Sequence, residues 1–326
     1  MTPQLLTRSQ INDGLWNHLI EESQQSVLYA FTNYLDLVCE DWNAFVWPEM
    51  GDYKIVMPIP VRLKMGMRVA YQPLFCQYLG IFSKSDLHIS DMSPFLQAFA
   101  AQFKYISGYH FNPENYLILS KCMELIPHIE IATCHTHWLN LLPSYECVVN
   151  GFSTDRKKNL EKGNRYGWEV MKSRNIHPLI FLFVQNHAGK IPGGVNPCVY
   201  NRLEAVFERL EAIGKAEVWY AHYEGIIRAG ILLIRNADRV IYLFNAADEM
   251  GRKGNARTFL LASYFRLHAR EPLVFDFETP EVSSVTAFYE SFGSTAVPYL
   301  KVRQNRLWFP LRMVQNLRRR LYLKTR

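Results

Sequence analysis

Apolar residues near the N-terminus recur at helical spacing. Ile11, Leu15, Leu19 and Ile20 form one stripe, which predicts a helix with Ser9 as its cap, and residues 31–40 predict a second. From 42 to 83 the pattern changes to short apolar runs broken by Met50-Gly51-Asp52 and Lys64-Met65-Gly66, as expected of strands and hairpins. Residues 95–106 return to helical spacing, and 129–142 read as extended. The first half is therefore mixed α and β.

Residues 150–163 open with small polar side chains suited to a turn and a cap, then become a short basic helix. Two helical stretches follow, 177–188 and 198–213, separated by the breaker Ile191-Pro192-Gly193-Gly194. Next come three strands, 216–223, 226–235 and 239–246, joined by turns at Glu224-Gly225 and Asn236-Ala237-Asp238. A glycine-bearing loop, 248–255, leads to a helix over 256–269, a strand at 273–277, a helix at 284–292 and a last strand at 297–302. No period of 20 to 50 residues is present, which excludes solenoids and propellers.

Composition adds bounds. With 326 residues, 49% hydrophobic and 20% charged, the chain is ordinary globular protein of two domains rather than a disordered or fibrous one. Six scattered cysteines without a CxxC pair, and an N-terminus without a basic-then-apolar leader, are read as reduced thiols in the cytoplasm. The longest apolar runs, such as 178–184, fall far short of the roughly 20 residues that span a bilayer. The net charge of +6 is unevenly placed: residues 301–326 hold nine Lys or Arg and no acid, leaving 27 bases against 30 acids elsewhere, a net of −3.

The order of three antiparallel strands, loop, helix, strand, helix and strand resembles the GNAT acyltransferase fold. The loop Gly251-Arg252-Lys253-Gly254-Asn255-Ala256 resembles that family's pyrophosphate loop, whose main-chain N–H groups at a helix N-terminus cradle coenzyme A. Gly254 and Ala256 match the pattern, while Gly251 replaces the usual Gln or Arg. Ala287-Phe288-Tyr289-Glu290-Ser291-Phe292-Gly293 resembles the family segment whose tyrosine protonates the leaving thiolate. Residues 139–146 with 151–163, residues 71–83, and Phe275-Asp276-Phe277-Glu278 resemble Fem-type peptidoglycan aminoacyltransferases and their BioF2-like acetyltransferase relatives. The resemblance covers roughly residues 25–303. It implies an α/β fold of mixed sheets in two tandem GNAT units: an N-terminal unit at 1–148, a C-terminal unit at 149–302, and a basic amphipathic tail at 303–326.

The resemblance also implies roles. Tyr289 would be the general acid, the plain alternative being a core aromatic. Glu249, Asp276 and Glu278, with Asp248, are candidate bases for the amine proton; loop fixing or helix capping is the alternative for each. Residues Gly251 to Ala256 would hold the donor's phosphates. Arg156, Lys157, Lys158 and Lys162, with Gln77, are candidates for an anionic acceptor, against a simply solvated basic face. Cys134-His135-Thr136-His137 does not make a metal site, because alternation along a strand puts Cys134 opposite the two histidines.

The expected function is an N-acyltransferase that needs no metal. It uses acyl-CoA, or alternatively aminoacyl-tRNA, as donor and an amine as acceptor, in cell-wall or envelope synthesis, with only the second unit binding ligand. Fem proteins that read tRNA carry a long helical hairpin, for which residues 178–210 are too short and too apolar. The tail, with Leu311, Val314, Leu317 and Leu321 on one face and Arg312, Arg318, Arg319 and Arg320 largely elsewhere, would lie on anionic lipid, touch RNA, or pack back on the first unit. The contrasting reading is a degenerate GNAT pair that binds membrane or nucleic acid without catalysis.

Overall fold

The computed structural model describes residues 2–49, 51–64, 66–122, 126–191 and 193–324, without the side chains of Lys190 and 318–324. It divides into two compact units, residues 1–134 with 298–326, and residues 135–297.

In the first unit the strands run in the order Gln4–Thr7, Asp41–Trp47, Ile55–Lys64, Met67–Ala70, Tyr105–His110 and, from residue 298 onward, Thr295–Asn305. Met67–Ala70 and Tyr105–His110 are parallel, meeting at Ala70 and Ile106. The opening helix, Asp13–Glu22, starts later than the apolar stripe predicts. Asn12 is its cap, accepting from the Leu15 N–H at 3.1 Å, and Ser9 lies in a preceding 3-10 turn. Arg8 holds that turn by ion pairs of 2.7 Å to both Asp13 and Asp36. The helix buries Trp16, whose Nε1–H donates to the Ala30 carbonyl at 2.8 Å and whose ring lies 5.3 Å from Trp42. The helix expected at 95–106 is Ile89–Gln102, and strand Tyr105–His110 takes its last residues.

Where the resemblance implies a boundary at 148/149 and a separate 303–326, the compact units place 135–148 with the second and 298–326 with the first. Two contacts account for the latter. Lys301 and Val302 pair with His110 and Tyr109. Buried Gln304 donates through Nε2 to the carbonyls of Ala100 and Phe103 at 2.9 and 2.6 Å. The tail continues as a helix, Phe309–Lys324; the side chains of Arg318, Arg319, Arg320 and Leu321 lie outside the described residues.

The second unit carries the predicted meander, Ala216–Tyr223, Ile226–Asn236 and Arg239–Ala247. Glu169–Ser173 adds to its outer edge, and Val274–Asp276 pairs in parallel on the other side. The loop after the third strand is a short helix, Glu249–Lys253, followed at once by Ala256–Leu267. The latter is buried almost all round, through Leu260, Leu261, Tyr264 and Phe265. It packs in a core with Ile231, Leu233, Phe275, Phe277 and Phe292, where each large side chain contributes about 1.5 to 3 kcal/mol of burial. The helices His177–Asn186 and Cys198–Glu211 bury Leu179, Leu182, Leu203, Val206, Phe207 and Leu210.

Two features of this unit position the site. The parallel ladder between Arg239–Ala247 and Val274–Asp276 has only three rungs, Arg239 with Val274, Val240 with Phe275 and Ile241 with Asp276, so the strands part at Tyr242. Second, Gly293, at φ +73°, stands so close to Gly151 that a Cβ would lie 2.6 Å from the Gly151 carbonyl oxygen. The Ser153 N–H donates to the Ser291 carbonyl at 2.9 Å beside it. The start of the basic helix Thr154–Arg165 is thereby fixed against the end of helix Ser283–Glu290.

Candidate active site

Tyr289 sits on helix Ser283–Glu290 where the two parallel strands have parted. It is 6% exposed. Its ring stacks on Phe277 at 4.8 Å and meets Tyr242 edge-on at 5.9 Å. Burial pushes its hydroxyl up to about 12; Arg257 opposes this, Glu278 adds to it, and a hydrogen bond with the Asn245 side chain lowers it. The phenol is therefore fully protonated at neutral pH. Tyr242 is buried beside it, its hydroxyl without a hydrogen-bond partner among the described residues and its acidity suppressed by burial and by Tyr289.

Tyr242 and Asn245 share the Tyr289 side of their strand although an odd spacing should put them on opposite faces. The register explains it. Tyr242 pairs with Leu233 and Phe244 with Leu232, leaving Leu243 as the extra residue of a β-bulge, which re-aims the side chains beyond it.

Two arginines approach the same place. Arg257, half-buried in the first turn of Ala256–Leu267, donates through Nη1 to the Asn245 side-chain oxygen at 2.8 Å. Arg156 is 7% exposed. It donates through Nε to Ser291 Oγ at 2.8 Å and through Nη1 to Thr258 Oγ1 at 2.6 Å, and its guanidinium lies over Phe288 and Phe292 at 4.2 and 4.6 Å. Burial, then the charge of Arg257, pulls Arg156 down to about 10, still cationic at neutral pH. Among the described residues no carboxylate forms an ion pair with either arginine, although buried charges ordinarily have one. No hydrogen bond is formed by the main-chain N–H groups of Ala256, Arg257 and Thr258 among the described residues, the orphan donors expected of a helix start. Two cations thus stand at the first turn of this helix with no ion-paired carboxylate among the described residues.

The six-residue loop read as the phosphate cradle is arranged differently. Gly251 N–H donates to Asp248 Oδ1 at 2.7 Å, and the N–H groups of Arg252, Gly254 and Asn255 donate to the carbonyls of Asp248, Met250 and Arg252. Both glycines answer to packing. A Cβ on Gly251 would lie 2.3 Å from the Arg228 carbonyl oxygen, and one on Gly254 would lie 2.4 Å from the Trp168 ring. Arg252 is turned onto the Ala247 carbonyl at 2.7 Å, and Lys253 pairs with Glu249 at 2.7 Å. Asn255, at φ +58°, turns the chain into the next helix. The open donors expected at 251–255 lie one step further on, and Ala256 is the member of the motif that presents one.

The carboxylates also separate. Asp248 caps its helix and pairs with Arg228 at 3.1 Å. Glu249 is exposed, and its hydrogen bond with Lys253 lowers its pKa, the opposite of what a base working near neutrality needs. Asp276 is buried, accepting from Thr136 Oγ1 at 2.6 Å and from the Glu278 N–H at 2.9 Å. Glu278, half-buried at φ +48°, is the candidate whose charge reaches the Tyr289 hydroxyl.

Of the basic run, only Arg156 turns inward. Lys157 donates to the Asn150 carbonyl at 2.9 Å, in a groove of about 830 Å³ that also contains Tyr145, Arg266 and Arg270 and none of the residues around Tyr289. Lys158 and Lys162 line another groove with Glu161, Arg165 and Tyr166. Gln77 belongs to the first unit, where its main-chain carbonyl accepts from His110 Nδ1 at 2.8 Å. His137 is buried against Thr279 at 3.1 Å. Among the described residues no group of three His, Cys, Asp or Glu is placed to hold a metal.

Sequence reasoning missed Tyr242, Asn245 and Arg257. For Arg257 a signal existed, since it directly follows the glycine loop at a helix start. For Arg156 the signal was its place on the stripe with Leu160 and Gly163, the buried face of Thr154–Arg165.

No known family model and no curated protein matches the chain. Solved structures do. FemX is similar over 93% of this chain and 98% of its own, at 12% identity and a TM-score of 0.63. L-PGS from Bacillus licheniformis is similar over 95% and 96%, at 12% and 0.54. A tandem GNAT protein from the clavulanic acid biosynthesis pathway is similar over 92% and 97%, at 10% and 0.53. The chain has the tandem-GNAT fold of Fem-type proteins, and the constellation around Tyr289 occupies the parted strands of its second unit.

Proposed function

We propose that this protein is an N-acyltransferase that moves an acyl or aminoacyl group onto an amine by direct attack in a ternary complex. The observation that carries the reading is the meeting of a buried, protonated Tyr289 with Arg156 and Arg257 at the free amides of helix Ala256–Leu267. Arginines and orphan amides bind the donor's phosphates. The amine nitrogen bonds to the acyl carbon, and the bond from that carbon to the donor's sulfur or oxygen breaks. Glu278 accepts the proton leaving the amine, and Tyr289 donates its own to the departing atom. Asn245 links Arg257 to the tyrosine, so a bound phosphate and the acid share one frame. Asp276 and Asp248 position main chain and take no proton.

The donor is acyl-CoA, with aminoacyl-tRNA as the alternative, and the acceptor is an amine on a cell-wall or envelope precursor. The helices between residues 177 and 211, of 10 and 14 residues, bury apolar faces in their own unit, which supports the compact branch without a tRNA-reading hairpin. A cytoplasmic location follows from that chemistry. A second reading, a GNAT pair that binds without catalysis, is favoured by the self-satisfied amides of the Gly251 turn.

Thermal-shift titration with acetyl-CoA, beside an acyl-transfer assay on a panel of amines, tests the proposal. A rise in melting temperature by mass action, lost in Arg257→Gln, with turnover lost in Tyr289→Phe, supports it. No shift with acyl-CoA and no transfer from either acyl-CoA or aminoacyl-tRNA would leave the binding-module reading.

A further inference from the structure

The helix Phe309–Lys324 presents its apolar side outward. Trp308, Phe309, Met313, Val314 and Leu317 are 66, 67, 62, 51 and 59% exposed. At about 100° per residue, positions 309, 313, 317 and 314 fall within one arc of roughly 140°. The half-buried side of the helix holds Leu311 and Gln315; at its flank Asn316 Oδ1 accepts from Asn305 Nδ2 at 3.0 Å, and the Arg312 carbonyl accepts from the same nitrogen at 3.4 Å. Gln315 and Asn316 line a small crevice with Tyr105, Ile106 and Arg303. A helix at the surface of a water-soluble body normally turns its apolar face to the core; here Leu311 and Gln315 are half-buried while the broader apolar arc of Phe309, Met313, Val314 and Leu317 is left to the surroundings.

We propose that this face lies in the surface of an anionic lipid bilayer, with the helix axis in the membrane plane. Charge selects the occupant. Residues 301–326 carry nine bases and no acid, while the remainder of the chain is net negative. A second copy docking through the same face would bring two such segments together, and like charge opposes it. RNA would pair with the arginines and stack on aromatics but would leave Met313, Val314 and Leu317 in water. An anionic bilayer takes both features, aliphatic and aromatic side chains in the acyl boundary and Lys or Arg among the phosphates. The helix has 16 residues, about 24 Å at 1.5 Å per residue, and no helix among the described residues is long and apolar enough to cross a membrane. It lies on the bilayer and does not span it. The membrane contact does not depend on what the second unit binds.

The test is co-sedimentation of the full chain with vesicles of phosphatidylcholine alone and of phosphatidylcholine mixed with anionic phosphatidylglycerol, whose negative surface potential attracts basic segments. Binding should be at least about tenfold tighter on the anionic vesicles, fall as salt rises to about 0.5 M, and shift tryptophan emission to the blue in a manner lost in Trp308→Phe. The double variant Met313→Glu, Leu317→Glu changes only exposed side chains, so it should melt like the parent and lose vesicle binding. Equal retention on neutral and anionic vesicles would overturn the proposal. So would unchanged binding by the double variant, retention on RNA in place of vesicles, or a dimer that the variant dissolves without any lipid binding.

Discussion

The indole N–H of Trp168 donates to the carbonyl oxygen of Gly254 at 2.8 Å, and the same ring occupies the space a Cβ on Gly254 would need. The ring is itself held by stacking on Tyr166, with centroids 4.5 Å apart and planes 12° off parallel. The glycine that looks most like a phosphate-loop signature is therefore fixed by an aromatic wall behind the turn.

Gly254→Ala should lower stability by about 1 to 3 kcal/mol through overpacking. Trp168→Phe should cost a similar amount by leaving a buried carbonyl unpaired. The double variant should lose less than the sum, since the smaller ring relieves the clash. Urea unfolding midpoints measure all three. A Gly254→Ala variant of parental stability that has lost donor binding would return this glycine to the ligand site.

Tyr289→Phe should reduce turnover by about 100-fold, within the range for loss of a general acid, and leave donor affinity within about twofold. The leaving group adds a sharper comparison. An acid pushed up to about 12 is better matched to an alkoxide than to a thiolate, whose conjugate acid titrates near 8.5. The substitution should therefore cost more with an aminoacyl ester donor than with a thioester. Equal losses with both donors would show that the hydroxyl does not protonate the departing atom.

Arg156→Lys keeps the charge but not the planar fork that reaches both Ser291 and Thr258. It should weaken inorganic pyrophosphate, read as thermal stabilisation, by about tenfold, the scale of losing one charge-assisted hydrogen bond. Lys158→Gln, outside the constellation, should leave the pyrophosphate shift unchanged. Equal effects of the two substitutions would mean a diffuse basic surface and no built site.

Alkaline stability follows from the buried phenols. Tyr289 is raised to about 12 and Tyr242 further, both chiefly by burial, against about 10 in the unfolded chain. The fold favours the neutral forms, so their contribution is fully present below pH 10 and is lost as pH rises through the folded values. The melting temperature should be insensitive to these groups from pH 7 to 9 and fall above about 10. Tyr242→Phe should flatten that fall and, by removing a buried unpaired hydroxyl, be neutral or stabilising at pH 7. A steeper alkaline fall in Tyr242→Phe would contradict the assignment.

Much of the second unit was legible because each element carries its own period: three alternating strands, a helix, a strand and a helix. The site was less so, for local reasons. The bulge at Leu243 breaks the two-residue alternation that would otherwise have excluded Asn245 as a partner of Tyr242. Residue type alone could not tell the capping carboxylate of Asp248 from the half-buried Glu278, because that difference is made by an N–H donor in one case and a left-handed turn in the other. In the basic run, helical periodicity held the answer, since Arg156 lies on the stripe of Leu160 and Gly163; four adjacent charges obscured it. The first helix was displaced by three residues because Asn12 and the Arg8 ion pairs outcompeted Ser9.

The parallel ladder beside Tyr289 stops after three rungs. The rings of Tyr242, Phe277 and Tyr289 fill the place where the strands part, so exchanging these side chains would alter packing there while the sheet keeps every strand it has. Side-chain identity at the parting of the strands and the hydrogen-bonded frame of the sheet are inherited separately in this unit.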